Sequence, residues 1–453
     1  MRPVTDSLLD TIVALATAPG RAALAVVRLS GRETRGLLAS IAPALPAAPE
    51  ARRACLAQIV DAAGEAIDQG IVTFFALPHS YTGEDAAEIS VHGAPRVVDR
   101  LLSALTAAGA RLARPGEFTQ RALLHGKLDL VEAEAVRELI DARTDRAALF
   151  CARRLSGALS ARLSGVRDLL MGAAASLTAT IDFSEDVGES VDPAVGRDLS
   201  CAVEQLARLS KSYETGRLLF SGCRVAIVGR PNAGKSTLFN ALVGSPRAIV
   251  TEIPGTTRDA LDATLDVGGI PVTVVDTAGL RETEDRVEVI GVARAREEAE
   301  KADAVLYVLD AAAPFDEQDR AALAALSDKP VLLVANKIDT VSPGAKLPEG
   351  AQPLCGIAPG AAETLRALIS FRLTQGISLE AADEILGNAR QRDLVERARR
   401  AAADAVDALC RGDSPEYAAT HVDAALAALA DVFGETTSED VLARIFATFC
   451  IGK

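Results

Sequence analysis

The sequence predicts a multidomain chain: an α+β domain at the N-terminus, an α-helical bundle, and an α/β domain inserted into that bundle. Three observations predict it. Short apolar runs broken by Gly and Pro turns fill residues 1 to about 120. Ala/Leu/Glu/Arg-rich stretches with apolar residues at helical spacing run from Leu128 to about Ile181, and the same texture returns at Arg390–Cys410 and Ser438–Cys450. Between those helical stretches a strand, a glycine-rich turn and a helix follow one another. The termini of a compact domain usually lie close together, so one domain can be carried inside another. The expected boundaries are 1–122, 123–216, 217–377 and 378–453, with the last and the second forming one bundle.

Taken in order, Ile12-Val13-Ala14-Leu15, Ala25-Val26-Val27 and Ile71-Val72-Thr73-Phe74-Phe75 read as strands of the first domain. In the inserted domain a strand over Arg224–Val228 runs into Gly229-Arg230-Pro231-Asn232-Ala233-Gly234-Lys235-Ser236, and a helix starts at Thr237. Gly229 and Gly234 let the backbone curl so that successive N–H groups point at one anion. Lys235 reaches the terminal phosphates and the Ser236 hydroxyl can ligate Mg2+. A fully matched G-x-x-x-x-G-K-[ST] between strand and helix predicts a nucleoside triphosphate site over Asn232–Thr237.

Later motifs decide which triphosphate. The β-branched run Val272–Val275 ends at Asp276-Thr277-Ala278-Gly279, where the aspartate can hold Mg2+ through water and the Gly279 amide can meet the γ-phosphate. Val331-Leu332-Leu333-Val334 leads into Asn336-Lys337-Ile338-Asp339. A carboxylate at Asp339 can accept both the ring N–H and the exocyclic amine of guanine, whereas adenine would leave it unpaired. Three motifs in order, each after a strand and at Ras-like spacing, specify GTP.

Between the first two motifs lies Thr251-Glu252-Ile253-Pro254-Gly255-Thr256-Thr257-Arg258-Asp259, a loop whose threonines can complete a Mg2+ shell and make it a switch. Leu280, directly after Asp-x-x-Gly, stands where Ras-type enzymes place a water-orienting glutamine. Either hydrolysis is negligible or another residue supplies that role. Glu288 is the nearest unexplained carboxylate, and the residues alone favour reading it as a solvated helix charge.

Whole-chain composition narrows the class. A chain of 453 residues is long enough for two or three domains. A net charge of -14 argues against broad nonspecific nucleic-acid binding but leaves room for a local basic patch that meets a folded RNA. Trp is absent and aromatics are only 4%, which disfavours base-stacking platforms for single strands. The seven cysteines (Cys55, Cys151, Cys201, Cys223, Cys355, Cys410 and Cys450) show no C-x-x-C and no metal spacing, and read as reduced thiols of a cytoplasmic protein. The apolar N-terminal stretch, broken at Pro19-Gly20-Arg21, is too short for a membrane span and lacks the basic start of a signal peptide.

Further signatures carry a resemblance to a family. They are Tyr81-Thr82-Gly83-Glu84-Asp85 with His92-Gly93, Arg114-Pro115-Gly116-Glu117-Phe118-Thr119, and Lys127-Leu128-Asp129-Leu130 followed by Glu132-Ala133-Glu134-Ala135. Gly255-Thr256-Thr257-Arg258-Asp259 and the ending Phe449-Cys450-Ile451-Gly452-Lys453 complete the set. From Asp10-Thr11-Ile12 to the last residue the chain resembles the MnmE (TrmE) family of tRNA modification GTPases.

The resemblance implies a homodimer that, in a heterotetramer with the flavoprotein MnmG (GidA), adds an aminomethyl-type group to C5 of the wobble uridine of certain tRNAs. The one-carbon unit comes from 5-formyl- or methylene-tetrahydrofolate in the N-terminal folate-binding and dimerisation domain. Arg28, Glu88, Lys127 and Lys453 match the folate positions; two or three cations and a carboxylate suit a glutamate tail and a pterin donor edge. Cys450 matches a candidate nucleophile of the family, and a buried, inert thiol is at least as good a reading. The family's GTPase domains pair around K+, matched here by Asn232, Thr251, Ile253 and Thr256, where the cation stands in for an arginine finger. Ser236 and Thr257 match the Mg2+ ligands. Lys235 and Glu288 match the catalytic residues, Glu288 orienting water through a bridging water.

Two departures stand out. The family usually has Asn where this chain has His125, to which no catalytic role is assigned. Its guanine-capping Ser-Ala motif is not recognisable in Leu354-Cys355-Gly356-Ile357-Ala358, so backbone amides are left to contact the base, with weaker nucleotide affinity expected. The competing class is a ribosome-assembly GTPase of the Era or Der type without modification chemistry; it has the nucleotide motifs but neither the folate-type N-terminal domain nor the Cys-Ile-Gly-Lys ending. A scaffold with a vestigial site conflicts with intact Lys235, Ser236, Asp276 and Asp339.

Overall fold

The computed structural model describes residues 10–46, 48–182, 191–244, 248–249, 262–276, 297–342, 346–374 and 385–453. The chain divides into two compact units, one of residues 1–137, 154–200 and 397–453, the other of 138–153 and 201–396.

In the first unit a six-stranded sheet runs in the order Ala54–Val60, Ala66–Phe75, Ala86–His92, Leu24–Ser30, Ile12–Leu15, Arg111–Leu112. Only the last pair is parallel. Side chains alternate across a strand, and Ile12–Leu15 uses both faces. Val13 joins Val27, Leu29, Phe74, Ile89, Leu101 and Leu105 in the main core, which holds helices Thr34–Ile41 and Pro95–Ala107. Ile12 and Ala14 turn to the opposite face, where Phe118 of helix Glu117–Leu124 covers them. The three apolar runs expected as strands are all strands.

The helical part of this unit is built on stripes with steps of three and four residues. Along Ala158–Asp182 the buried positions include Leu159, Leu163, Val166, Leu170, Ala173 and Leu177; along Pro415–Phe433 they include Ala418, Val422, Ala425, Leu429 and Val432. That spacing keeps one apolar seam facing a partner helix, and these two helices pack together. The second of them was not expected from the sequence: its Ala-rich composition gives small side chains and a weak apolar signal. Helix Glu439–Phe446 lays Leu442 and Phe446, followed by Phe449, on Leu130 and Ala133 of helix Leu130–Asp141.

A buried charge network closes the sheet end. Arg121 is fully buried and bonds Asp10 at 2.9 Å, Glu84 at 3.1 Å and Glu117 at 3.2 Å. Arg111 adds bonds to Asp10 at 2.6 Å and Glu117 at 2.5 Å. Burial raises the Glu117 and Asp10 pKa values, but the two guanidinium groups outweigh it and hold both below their ordinary range. Glu84 also accepts the Ser30 hydroxyl at 2.6 Å, so the Tyr81–Asp85 and Arg114–Thr119 signatures meet in one network.

The second unit has a seven-stranded sheet in the order Gln352–Pro353, Val331–Asn336, Ala304–Asp310, Cys223–Gly229, Ile270–Asp276, Asp262–Val267, Ala248–Ile249. The first five are parallel and the last two pair antiparallel. Central parallel strands are apolar on both faces because helices cover both. Val225, Ile227, Val272 and Leu306 pack with Leu238, Leu242, Leu365 and Ile369, while Ala226, Val228, Val305 and Tyr307 pack with Ala299 and Ala302.

Candidate functional site

Gly229, Asp276, Asp310 and Asn336 all end parallel strands at the same sheet edge. Open α/β sheets bind ligands there, outside the carboxyl ends of their strands. After Gly229 the loop curls through Asn232 at φ 64° and Gly234 at φ 94° into helix Lys235–Val243. Gly234 is required twice over: besides its left-handed φ, a Cβ there would strike Asn336 Nδ2. Lys235 Nζ donates to Gly229 O at 2.9 Å and Arg230 O at 2.8 Å, folded over its own loop. Ser236 and Thr237 are exposed at the start of the helix, and Asp276 is 3% exposed at its strand end.

The guanine-side motif is strapped to this loop. Asn336 Nδ2 donates to Ala233 O at 3.0 Å, and Lys337, itself at φ 61°, donates from Nζ to Asn232 O at 2.7 Å and Asp310 at 2.8 Å. Asp339 is exposed in the following turn.

Leu354–Ala358, where no guanine cap was recognised, lies directly against this motif. Leu354 N–H donates to Ala335 O, Ile338 N–H donates to Leu354 O, and Gly356 N–H donates to Asn336 Oδ1 at 2.9 Å. Asp339 beside it, with burial as the lesser cause, pushes the Cys355 thiol pKa up. The sequence reading left Leu354–Ala358 to contact the base through backbone amides; the tie of Gly356 N–H to Asn336 and the placing of Cys355 beside Asp339 had no sequence signal. Thr251, Glu252, Ile253, Pro254, Gly255, Thr256, Thr257, Thr277, Ala278, Gly279, Leu280 and Glu288 lie outside the described residues.

A second cluster occupies the first unit. Arg28 and Glu88 are direct cross-strand partners, so their side chains share a face. Arg28 donates from Nη2 to Glu88 at 2.7 Å and from Nη1 to Gly452 O at 3.0 Å. Its guanidinium lies 5.8 Å from the Phe118 ring and 6.0 Å from that of Tyr81. Tyr81 is fixed by its hydroxyl's 2.9 Å bond with Thr119. Gly452, at φ 93°, fits against Leu15 O and Ala16 Cα with no room for a Cβ.

Lys453 is half-buried; burial, then Arg28 beside it, push its ammonium pKa down, with Glu88 opposing. Three of the four expected folate residues thus gather within one chain. The fourth, Lys127, donates to Pro78 O at 3.1 Å, and among the described residues no bond joins it to the other three. His125 donates from Nδ1 to Thr82 O at 2.8 Å, a structural tie for the Tyr81–Asp85 loop. Cys450 is exposed, and its carbonyl accepts the Gly116 N–H at 3.4 Å.

Two family models match the chain: the GTP-binding protein TrmE N-terminus over residues 11–127 and the MnmE helical domain over residues 130–450. A tRNA modification GTPase MnmE from Roseiflexus sp. (strain RS-1) is 42% identical, covering 98% of this chain and 99% of its own. The protein of that name from Aquifex aeolicus is 39% identical over 98% of this chain and 100% of its own. Among solved structures, the FeoB G-domain from Methanococcus jannaschii is 26% identical, covers 34% of this chain and 97% of that domain, and has a TM-score of 0.26, too low to add to the assignment. Matches that run through both the N-terminal and the helical regions leave the ribosome-assembly alternative without support. Among the described residues no helix is long and apolar enough to cross a membrane.

Proposed function

We propose how this chain, which belongs to the MnmE family of tRNA modification GTPases, divides its work between GTP turnover in the second unit and one-carbon delivery in the first. The inserted GTPase domain, read as 217–377, binds guanine through Asp339, which Cys355 steadies, and the phosphates through the amides of Asn232–Thr237 and Lys235. The Ser236 hydroxyl and the buried Asp276 carboxylate are hard oxygen donors that suit Mg2+, with Thr257 as the further ligand. Asn232, Thr251, Ile253 and Thr256 are the K+ set; Mg2+ and K+ supply positive charge where it develops on the phosphates. Because Leu280 cannot orient water, Glu288 takes that role.

In the first unit Arg28, Glu88 and Lys453 together receive one polar end of a tetrahydrofolate, the two cations offering donors and Glu88 an acceptor, with Lys127 as the further expected contact. The donor set suits the ligand: two cations stand close together against one carboxylate, and the depressed Lys453 ammonium is relieved by an arriving anion. Bound folate supplies the one-carbon unit. The chain acts in the cytoplasm as a homodimer with MnmG, on C5 of the wobble uridine.

The observation that carries this reading is the meeting of Arg28, Glu88 and the Gly452–Lys453 ending across most of the chain's length. The test is mass spectrometry of wobble uridines from a deletion strain carrying Arg28→Ala. Loss of the modified nucleoside with GTP turnover retained is expected, and a normal nucleoside profile overturns the folate assignment.

A further inference from the structure

Arg230 belongs to the phosphate loop by position, yet its side chain bonds outside the loop. Nη2 lies 2.8 Å from Asp316 Oδ2 and 3.1 Å from Gln318 Oε1, and Nη1 lies 3.5 Å from Asp319 Oδ2. These partners are themselves fixed. Asp316 and Asp319 form the capping box that opens helix Glu317–Ala324. Asp319, 1% exposed, also accepts the Tyr307 hydroxyl at 3.1 Å.

The main chain of the same residue faces the other way in bonding. The Arg230 carbonyl accepts Lys235 Nζ at 2.8 Å and the Ala233 N–H at 3.3 Å. Pro231, next in the chain, restricts Arg230 to extended backbone and removes one donor from the turn. One residue therefore ties the ammonium of the phosphate site to a helix N-terminus beyond it. Arg230 also lines a cavity of about 570 Å³ together with Pro231, Phe315 and Leu347, and its bond set ties the loop to the first turn of helix Glu317–Ala324.

We infer that Arg230 is a positioning residue for GTP binding: anchored to Asp316, Gln318 and Asp319, it holds the first turn of the phosphate loop in its phosphate-ready curl. Ordering a loop in advance removes an entropy loss that binding otherwise bears. The inference rests on the reading that Gly229–Ser236 holds the phosphates.

The test is titration of the full chain with a fluorescent GDP analogue, alongside steady-state GTP turnover. Arg230→Ala is expected to raise the dissociation constant and KM about tenfold while kcat changes less than about twofold. Arg230→Lys recovers part of the loss, since a point charge still meets Asp316 but not the whole fork. Asp316→Asn keeps an N-cap acceptor and removes the charge; combined with Arg230→Ala it is expected to add nothing, as one shared interaction requires. An unchanged dissociation constant in Arg230→Ala overturns the inference, as does a lowered active fraction whose remaining protein binds normally. Lys235→Ala separates the two readings: if it weakens binding and Arg230→Ala does not, only this inference fails, and if neither does, the phosphate-loop reading fails with it.

Discussion

Replacing Gly452 by Ala tests the closure of the first unit at a single methyl group. The new Cβ meets Leu15 O and Ala16 Cα, backbone atoms that the pairing of Leu15 with Val27 and the Ala16 N–H bond to Val26 O hold in place, so the neighbour yields little. The residue also sits at φ 93°, where a side chain costs about 1 kcal/mol or more. If the ending swings out instead, the charged bond from Arg28 to Gly452 O is lost, worth about 1.5 kcal/mol at the low end for such bonds. These are alternatives and do not add: the strained φ alone weakens docking by about 1 kcal/mol or more, roughly fivefold or more. Wobble-uridine modification, read by mass spectrometry of tRNA from a deletion strain carrying the variant, should fall accordingly, while GTP turnover in KCl stays nearly intact. Deleting Gly452 and Lys453 should have the same two effects. Retained modification by either variant would refute the reasoning and make the ending incidental.

Asp339→Asn should weaken GTP binding by at least about 100-fold and admit xanthosine triphosphate, because an amide pairs a xanthine oxygen but not two guanine donors; unchanged GTP affinity would remove the guanine assignment. GTP turnover should depend on K+, and Asn232→Ala should lose the K+ response, about 100-fold in rate, while still binding nucleotide; equal rates in KCl and NaCl would count against the cation site. Glu117 and Asp10 have folded pKa values below their ordinary ones, so their contribution to stability is present above about pH 4 and is lost as pH falls through the folded values. Glu117→Gln should therefore cost about 3 kcal/mol at pH 7, with the gap closing in acid, as read by hydrogen exchange of the Ile12–Leu15 amides; a gap that stays constant with pH would refute the network's role.

The strand, glycine-rich turn and helix expected to hold the phosphates were legible in the sequence because they are local. A glycine-rich turn between strand and helix is made from contiguous backbone, so Gly229 to Ser236 declare it without tertiary help, and Asp276 and Asn336 fall at strand ends that β-branched runs announce. The three strands expected in the N-terminal region were equally readable from alternation. Sheet order was not, since Ile12–Leu15 pairs with residues on both sides of it at separations that no periodicity records. The Pro415–Phe433 helix escaped because alanines mark its seam as weakly as they mark a surface.

Tertiary structure alone decided which charges meet. Arg28 looks like a strand residue with a solvated head until Gly452 and Lys453 arrive beside it. Cys355 looks inert until Asp339 is found at its thiol, and Arg230 looks like a variable position inside a motif until Asp316 anchors it. For Arg28 and Arg230 the partner lies far along the chain, and for Cys355 it lies in the preceding loop. A side chain's local pattern reports which face it occupies, whereas the identity of what sits on that face depends on how the whole chain closes.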